Sequence, residues 1–139
     1  MISVKGKRIL VAGATGLIGS RLVEKLVAAG ASVRATHFTR TPVNPHPGVE
    51  YLRVDLRLAD ECRRAVRDME MVFLCAASTS GAATISSTPM IHVTPNILIN
   101  SQMLEAAYEA EVSKFLWLGS TVAYPVAEHA VKESEMFSG

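Results

Sequence analysis

The spacing of Gly13, Gly16 and Gly19 restricts the possible folds of this chain more than any other feature of its sequence. The preceding segment Lys7–Ala12 is a short apolar run, which is typical of a buried parallel strand. After the glycines, apolar residues recur at helical spacing until Gly30, a natural helix stop. The glycines therefore occupy a predicted strand–turn–helix junction.

Glycine at such a junction has three uses: it allows a tight turn, it lets the backbone approach a phosphate, and it lets the helix pack closely on the strand. The unbonded N–H groups and the dipole of the helix start also favour an anion. We therefore predict that this turn binds the pyrophosphate of a dinucleotide. The alternative is that the glycines serve only the backbone geometry of a βα turn and bind no ligand. The predicted binding residues of the turn are Gly13, Thr15, Gly16, Leu17, Ile18 and Gly19.

Strand-like and helix-like segments alternate along the rest of the chain. Further strands are predicted at Ser32–His37, Glu50–Val54, Glu70–Ala76 and Lys114–Gly119, with helices over Leu58–Met69 and Ile91–Ala110 and loops at Arg40–Gly48 and Ala77–Pro89. This alternation favours right-handed βαβ crossovers. We expect one α/β domain over residues 1–139, a Rossmann-type doubly wound parallel sheet of about five strands in the order 3-2-1-4-5.

Composition narrows the functional classes. The chain has 139 residues, of which 49% are hydrophobic and 19% are charged, as expected for a single packed domain. A net charge of +1 does not favour binding to nucleic acid or to an anionic membrane surface. No apolar run approaches the ~18 residues of a membrane span. We expect a soluble, cytoplasmic protein whose Cys62 and Cys75 are reduced, with no metal site.

The choice of cofactor depends on the end of the second strand. A carboxylate there normally binds the ribose hydroxyls of NAD, whereas a nearby arginine accommodates the additional phosphate of NADP. Here the position is occupied by His37, and Arg40 follows. NADP is therefore favoured and NAD stays open. The alternative is that both are ordinary loop residues and that either cofactor is accepted.

Several segments together resemble the extended short-chain dehydrogenase/reductase family, in particular its NAD-dependent epimerase/dehydratase group. VAGATGLIGS is similar to the cofactor turn of that family. The resemblance implies that Asp55 and Leu56 of VDLR hold the adenine ring. It also implies that Ala76 and Ala77 of VFLCAAS line the cofactor, that Asn96 is the helix asparagine of the family, and that Ser120 is its active-site serine. It covers essentially the whole chain.

Within the family, LWLGSTVAYP and KESEMFSG are similar to the GDP-fucose synthase branch. That similarity implies a nucleotide-sugar substrate and hydride transfer between a nicotinamide and a keto-sugar. The resemblance also allows a homodimer formed through the long helix Ile91–Ala110.

The Tyr-x-x-x-Lys pattern that completes the catalytic group of the family is absent from these 139 residues. The serine hydroxyl of that group binds the reacting oxygen, and the tyrosine exchanges its proton with the help of the lysine. Of this group only Ser120 can be placed. We therefore expect the chain to be the front part of a longer enzyme, without the substrate-binding part and without normal turnover alone. The alternative is a non-catalytic NADP(H)-binding sensor or scaffold protein.

Overall fold

A computed structural model of the chain describes residues 3–80, 84, 87–120, 124 and 127–136. The strands are β1 (Arg8–Ala12), β2 (Ser32–His37), β3 (Val49–Arg53), β4 (Met71–Leu74) and β5 (Lys114–Trp117). The helices are α1 (Leu17–Ala28), α2 (Ala59–Val66) and α3 (Met90–Glu109), and a short 3-10 helix covers Glu133–Glu135. None of the helices in the described part is long and apolar enough to cross a membrane.

The five strands form one parallel sheet in the order β3-β2-β1-β4-β5, which confirms the predicted topology. β1 lies at the centre, where Ile9 pairs with Val33 of β2 on one side and with Met71 of β4 on the other. A central strand covered by helices on both faces has no solvent-facing side. This is why β1 is continuously apolar from Ile9 to Ala12, after the exposed Arg8.

Helices cover both faces of the sheet because successive strand residues point in opposite directions. On one face Ile9 and Val11 pack with Val23 of α1. On the other face Leu10 packs with residues that include Met103 of α3. The alternation in β1 thus divides the hydrophobic core into two layers.

The ends of several elements differ from the sequence-based boundaries. The predicted helix over Leu58–Met69 is shorter, because α2 ends at Val66 and Asp68 adopts a φ of 63°, which is incompatible with a continuing helix. β4 ends at Leu74 rather than Ala76, although the Cys75 N–H still donates to the Ala12 carbonyl at 2.8 Å. Within the predicted loop Ala77–Pro89, Thr84 is helical.

Candidate functional site

A cleft of about 690 Å³ lies at the carboxyl ends of the central strands, where parallel α/β sheets bind ligands. Its volume is within the range of small-molecule sites, ~300–1,000 Å³. The residues predicted from the sequence that line it are Gly13, Thr15, Gly16, Leu17, Ile18, His37, Arg40, Asp55, Leu56, Ala76 and Ala77. The fold therefore brings together four sequence segments that are far apart in the chain.

The glycine turn forms the floor of this cleft. Gly13 has a φ of 84°, and a Cβ at this position would lie 2.6 Å from the Cα of Ala76, two residues after the end of β4. The Gly13 N–H donates to the buried hydroxyl of Thr36 at 3.1 Å, and the Ala14 N–H donates to the Thr36 carbonyl at 2.8 Å. The turn is thus held against both neighbouring strands by close contact and by hydrogen bonds.

The start of α1 faces the cleft with its backbone groups available. Gly16 is the N-cap residue and supplies no side-chain cap, and no acidic residue occupies the first turn. Leu17 and Ile18 are largely exposed. Uncapped N–H groups and the positive end of the helix dipole suit an anion at this point.

Gly19 does not line the cleft and acts instead in packing. A Cβ on Gly19 would lie 2.2 Å from the Gly13 carbonyl oxygen, which is closer than real contacts allow. The predicted contribution of Gly19 to cofactor binding is therefore indirect. It lets α1 approach the turn that carries the predicted binding residues.

Asp55 is engaged by Arg57 at the mouth of the cleft. Its Oδ1 accepts from the Arg57 backbone N–H at 3.1 Å and from Nε at 2.8 Å, and its Oδ2 accepts from Nη2 at 2.5 Å. The side-chain hydrogen bonds from Arg57 lower the pKa of the Asp55 carboxyl group, against the opposing effect of burial. Any contact of Asp55 with an adenine amino group would therefore share the carboxylate with Arg57.

Substituting Asp55 by asparagine is expected to lower the free energy of unfolding near neutral pH. A lowered pKa in the folded state means that the ionised carboxylate stabilises the fold above its usual pKa of 3.8. That stabilisation is lost as the pH falls through the folded-state pKa, so the difference between wild type and Asp55→Asn should disappear there. Urea unfolding of both proteins, from neutral pH down through the folded-state pKa of Asp55, measures this difference in unfolding free energy. Glu105→Gln, an exposed change on α3, is the control, and an unchanged difference at low pH would contradict the assignment.

Asn96 lies behind the cleft wall and is not among the lining residues. Its side chain accepts from the Ser78 N–H at 2.7 Å and donates to the Ser78 carbonyl at 2.9 Å. Ser78 itself lines the cleft. The structure therefore places Asn96 where it can hold the wall formed after β4 rather than touch a ligand directly.

Ser120 is exposed after β5 and is not among the described residues that line the cleft. Its role as the catalytic serine therefore stays a prediction. Within the described ranges, no group of three or more His, Cys, Asp or Glu side chains is placed to hold a metal ion.

Three residues of the site were not predicted from the sequence. Thr36 is a buried polar residue in an otherwise apolar strand, and that contrast was the available signal. Arg57 stands in the VDLR segment two positions after Asp55, and Phe38 follows β2 directly. Nothing in the sequence indicated that the Arg57 guanidinium lies over the Phe38 ring, 5.5 Å from its centroid.

A five-stranded parallel sheet in this order, with a glycine turn at the end of β1, defines a Rossmann-type α/β protein. The profile of the NAD dependent epimerase/dehydratase family matches residues 9–138. The chain belongs to this family, as the resemblance predicted.

Individual relatives agree with that membership. Over 123 residues the chain is 32% identical to GDP-mannose 3,5-epimerase 1 from Oryza sativa subsp. indica, covering 85% of this chain and 32% of the relative. It is 29% identical to GDP-L-fucose synthase from Escherichia coli over 134 residues, covering 96% of this chain and 39% of the relative. The chain thus spans only about a third to two fifths of these relatives.

Solved structures show the same fold. UDP-glucose 4-epimerase from Thermus thermophilus, in complex with NAD, superposes with a TM-score of 0.79 at 31% identity, covering 92% of this chain and 43% of that structure. The epimerase Mth375 from Methanothermobacter thermautotrophicus superposes with a TM-score of 0.83 at 22% identity, covering 95% and 41%.

Proposed function

We propose that this chain is the dinucleotide-binding part of a sugar-nucleotide epimerase, dehydratase or reductase. In the whole enzyme, hydride would pass between a nicotinamide and a keto-sugar. The observation that carries the proposal is the cleft, where Gly13 leaves no room for a side chain beside Ala76 and the uncapped start of α1 faces the same space. The nucleotide-sugar epimerases among the relatives support the substrate class.

The residues present fit a dinucleotide. The backbone from Gly16 to Ile18 would receive the pyrophosphate at the positive end of α1, and Leu56 with Ala76 would contact the adenosine and nicotinamide portions as apolar walls. The nicotinamide supplies hydride transfer when it is bound. The chain itself binds and orients the cofactor, and the Ser120 hydroxyl would donate a hydrogen bond to the reacting oxygen of the substrate.

The proposed cofactor is NADP(H). His37 ends β2 where NAD-binding proteins normally place a carboxylate, and Arg40 lines the same cleft. The end of β2 carries no carboxylate, so no negative charge there would repel a 2′-phosphate. One structural neighbour was solved in complex with NAD. NAD is therefore the competing cofactor in the test.

The proposed assembly is a homodimer through α3. Ile97, Leu104 and Tyr108 of this helix are 60%, 56% and 85% exposed, which is unusual for large side chains on a helix that also supports the core. They share one side of α3 because their spacing follows the helical repeat. Burial against a second α3 would remove this apolar surface from water.

Calorimetric titration of the purified chain with NADPH and with NADH tests the proposal. We expect one cofactor molecule to bind per chain. Gly16→Ala is the informative variant, because its Cβ would meet only the Gly13 carbonyl at 3.5 Å, an ordinary contact, yet it would obstruct a phosphate at the helix start. We expect about tenfold weaker binding, equivalent to about 1.4 kcal/mol, with the fold retained. Absence of binding by a folded wild-type chain would refute the proposal.

A further inference from the structure

We infer that Arg53 and Arg57 form, together with Arg40, a phosphomonoester subsite at the end of β2 that selects NADP(H) over NAD(H). This inference rests on the proposed dinucleotide function and names the residues that would set its cofactor preference. Two of these arginines come from β3 and the segment after it, whereas His37 and Arg40 belong to the end of β2 and the loop that follows.

The sheet register brings the two strand ends together. His37, the last residue of β2, pairs with Arg53, the last residue of β3. From there the Arg53 Nε donates to the carbonyl oxygen of Phe38 at 3.3 Å. The Arg53 side chain therefore reaches across to the residue that directly follows β2, and it lies beside Phe38 rather than among the described residues that line the cleft.

Arg57 reaches the same residue from the other segment. Its guanidinium carbon lies 5.5 Å from the centroid of the Phe38 ring, within the range of a cation–π contact. Arg40, two positions further along the chain, lines the cleft with Phe38 and Arg57. Two guanidinium groups thus contact Phe38, and a third follows it closely in the chain.

The local charge favours an anion. Asp55 is the only carboxylate among the described residues that line the cleft, and Arg57 already holds it with Nε and Nη2. A guanidinium has five N–H donors, so Arg57 retains three hydrogens for another acceptor. Within the described residues, no carboxylate lies at salt-bridge distance from Arg40 or Arg53.

A phosphomonoester is the group that fits such a subsite. It carries close to two negative charges at neutral pH and several acceptor oxygens, and arginine binds it through paired hydrogen bonds. A ribose diol alone would be served by one carboxylate, and His37 stands where that carboxylate is usually found. In addition, the Nδ1 atom of His37 is buried and has no hydrogen-bond partner among the described residues.

The test compares Arg53→Gln and Arg57→Gln with wild type in titrations with NADPH, NADH, 2′,5′-ADP, 3′,5′-ADP and 5′-AMP. Each substitution should raise the Kd for NADPH and 2′,5′-ADP by about tenfold, the effect of one charge-assisted hydrogen bond. The Kd values for NADH and 5′-AMP should change by less than about twofold. A double variant Asp55→Asn/Arg57→Gln removes the carboxylate that Arg57→Gln would leave unpaired. This double variant should show the same loss of preference for NADPH over NADH as Arg57→Gln.

Arg8→Gln is the matched control, because it removes the same charge from the start of β1, at the end of the strands opposite to the cleft. It should leave all five Kd values unchanged. Equal weakening of NADPH and NADH by Arg53→Gln and Arg57→Gln would assign these residues to the adenosine and overturn the inference. Binding of 3′,5′-ADP as tight as that of 2′,5′-ADP would also overturn it. If wild type binds neither NADPH nor NADH, the proposed function itself fails, which is a distinguishable result.

Discussion

The Gly19→Ala variant is expected to lose about 3 kcal/mol of unfolding free energy and all measurable dinucleotide binding. Its added Cβ would lie 2.2 Å from the Gly13 carbonyl oxygen, 2.9 Å from the Gly13 carbonyl carbon and 3.0 Å from the Ala14 Cα. All three are backbone atoms, so no side-chain rotation can relieve the overlap. α1 would have to move away from the turn, and the turn would lose its shape.

Gly16→Ala is the matched control for this prediction. It adds the same methyl group three residues earlier, where the nearest atom is the Gly13 carbonyl oxygen at an ordinary 3.5 Å. We expect its stability to remain within about 0.5 kcal/mol of wild type. Urea unfolding followed by circular dichroism compares the two variants. Equal stability of Gly19→Ala and Gly16→Ala would show that close packing of α1 on the turn is not required.

The second large effect is expected in the core beneath α3. Met103 is fully buried and packs in the core layer that also contains Leu10 and Leu74. Met103→Ala should lower the free energy of unfolding by about 2–5 kcal/mol, because it removes apolar contacts and leaves a cavity. The measurement is the urea midpoint at constant m-value.

Leu104→Ala provides a neighbouring control on the same helix. The Leu104 side chain is 56% exposed, so its removal from the isolated chain should change stability by no more than about 0.5 kcal/mol. Alanine has the highest helix propensity, and both substitutions therefore test packing rather than helix formation. If Leu104→Ala proved as destabilising as Met103→Ala in a dilute, monomeric sample, the assignment of the inner side of α3 would be wrong.

Much of the fold could be predicted from local patterns. β1 is apolar from Ile9 to Ala12 because helices cover both faces of the sheet there. Strand–helix alternation with right-handed crossovers left few arrangements, and the glycine turn after the first strand favoured the dinucleotide-binding order 3-2-1-4-5 among them. Element ends were less predictable: α2 stops at Val66, where no proline or glycine marks the end, and Asp68 turns the chain with a positive φ.

The candidate site was predictable only where one segment carries the information. The turn from Gly13 to Gly19 could be predicted, because the positions that require a residue without a Cβ appear in the sequence as regularly spaced glycines. The engagement of Asp55 by Arg57 was not, because it depends on rotamers that the sequence does not encode locally. For Asn96 the resemblance implied a place in the cofactor site, whereas its hydrogen bonds to the Ser78 backbone became visible only in the structure.

The sequence by itself determined the strand–turn–helix junction at Gly13 and the alternation of strands and helices, because both depend on spacing along the chain or on the side-chain period of an element. Its motifs also indicated the family. Only the tertiary structure decided which side chains meet at the strand ends. The convergence of Arg53 and Arg57 on Phe38 requires β3 to lie beside β2 in one register. A shift of one residue would turn the β3 side chains to the opposite face of the sheet and separate them.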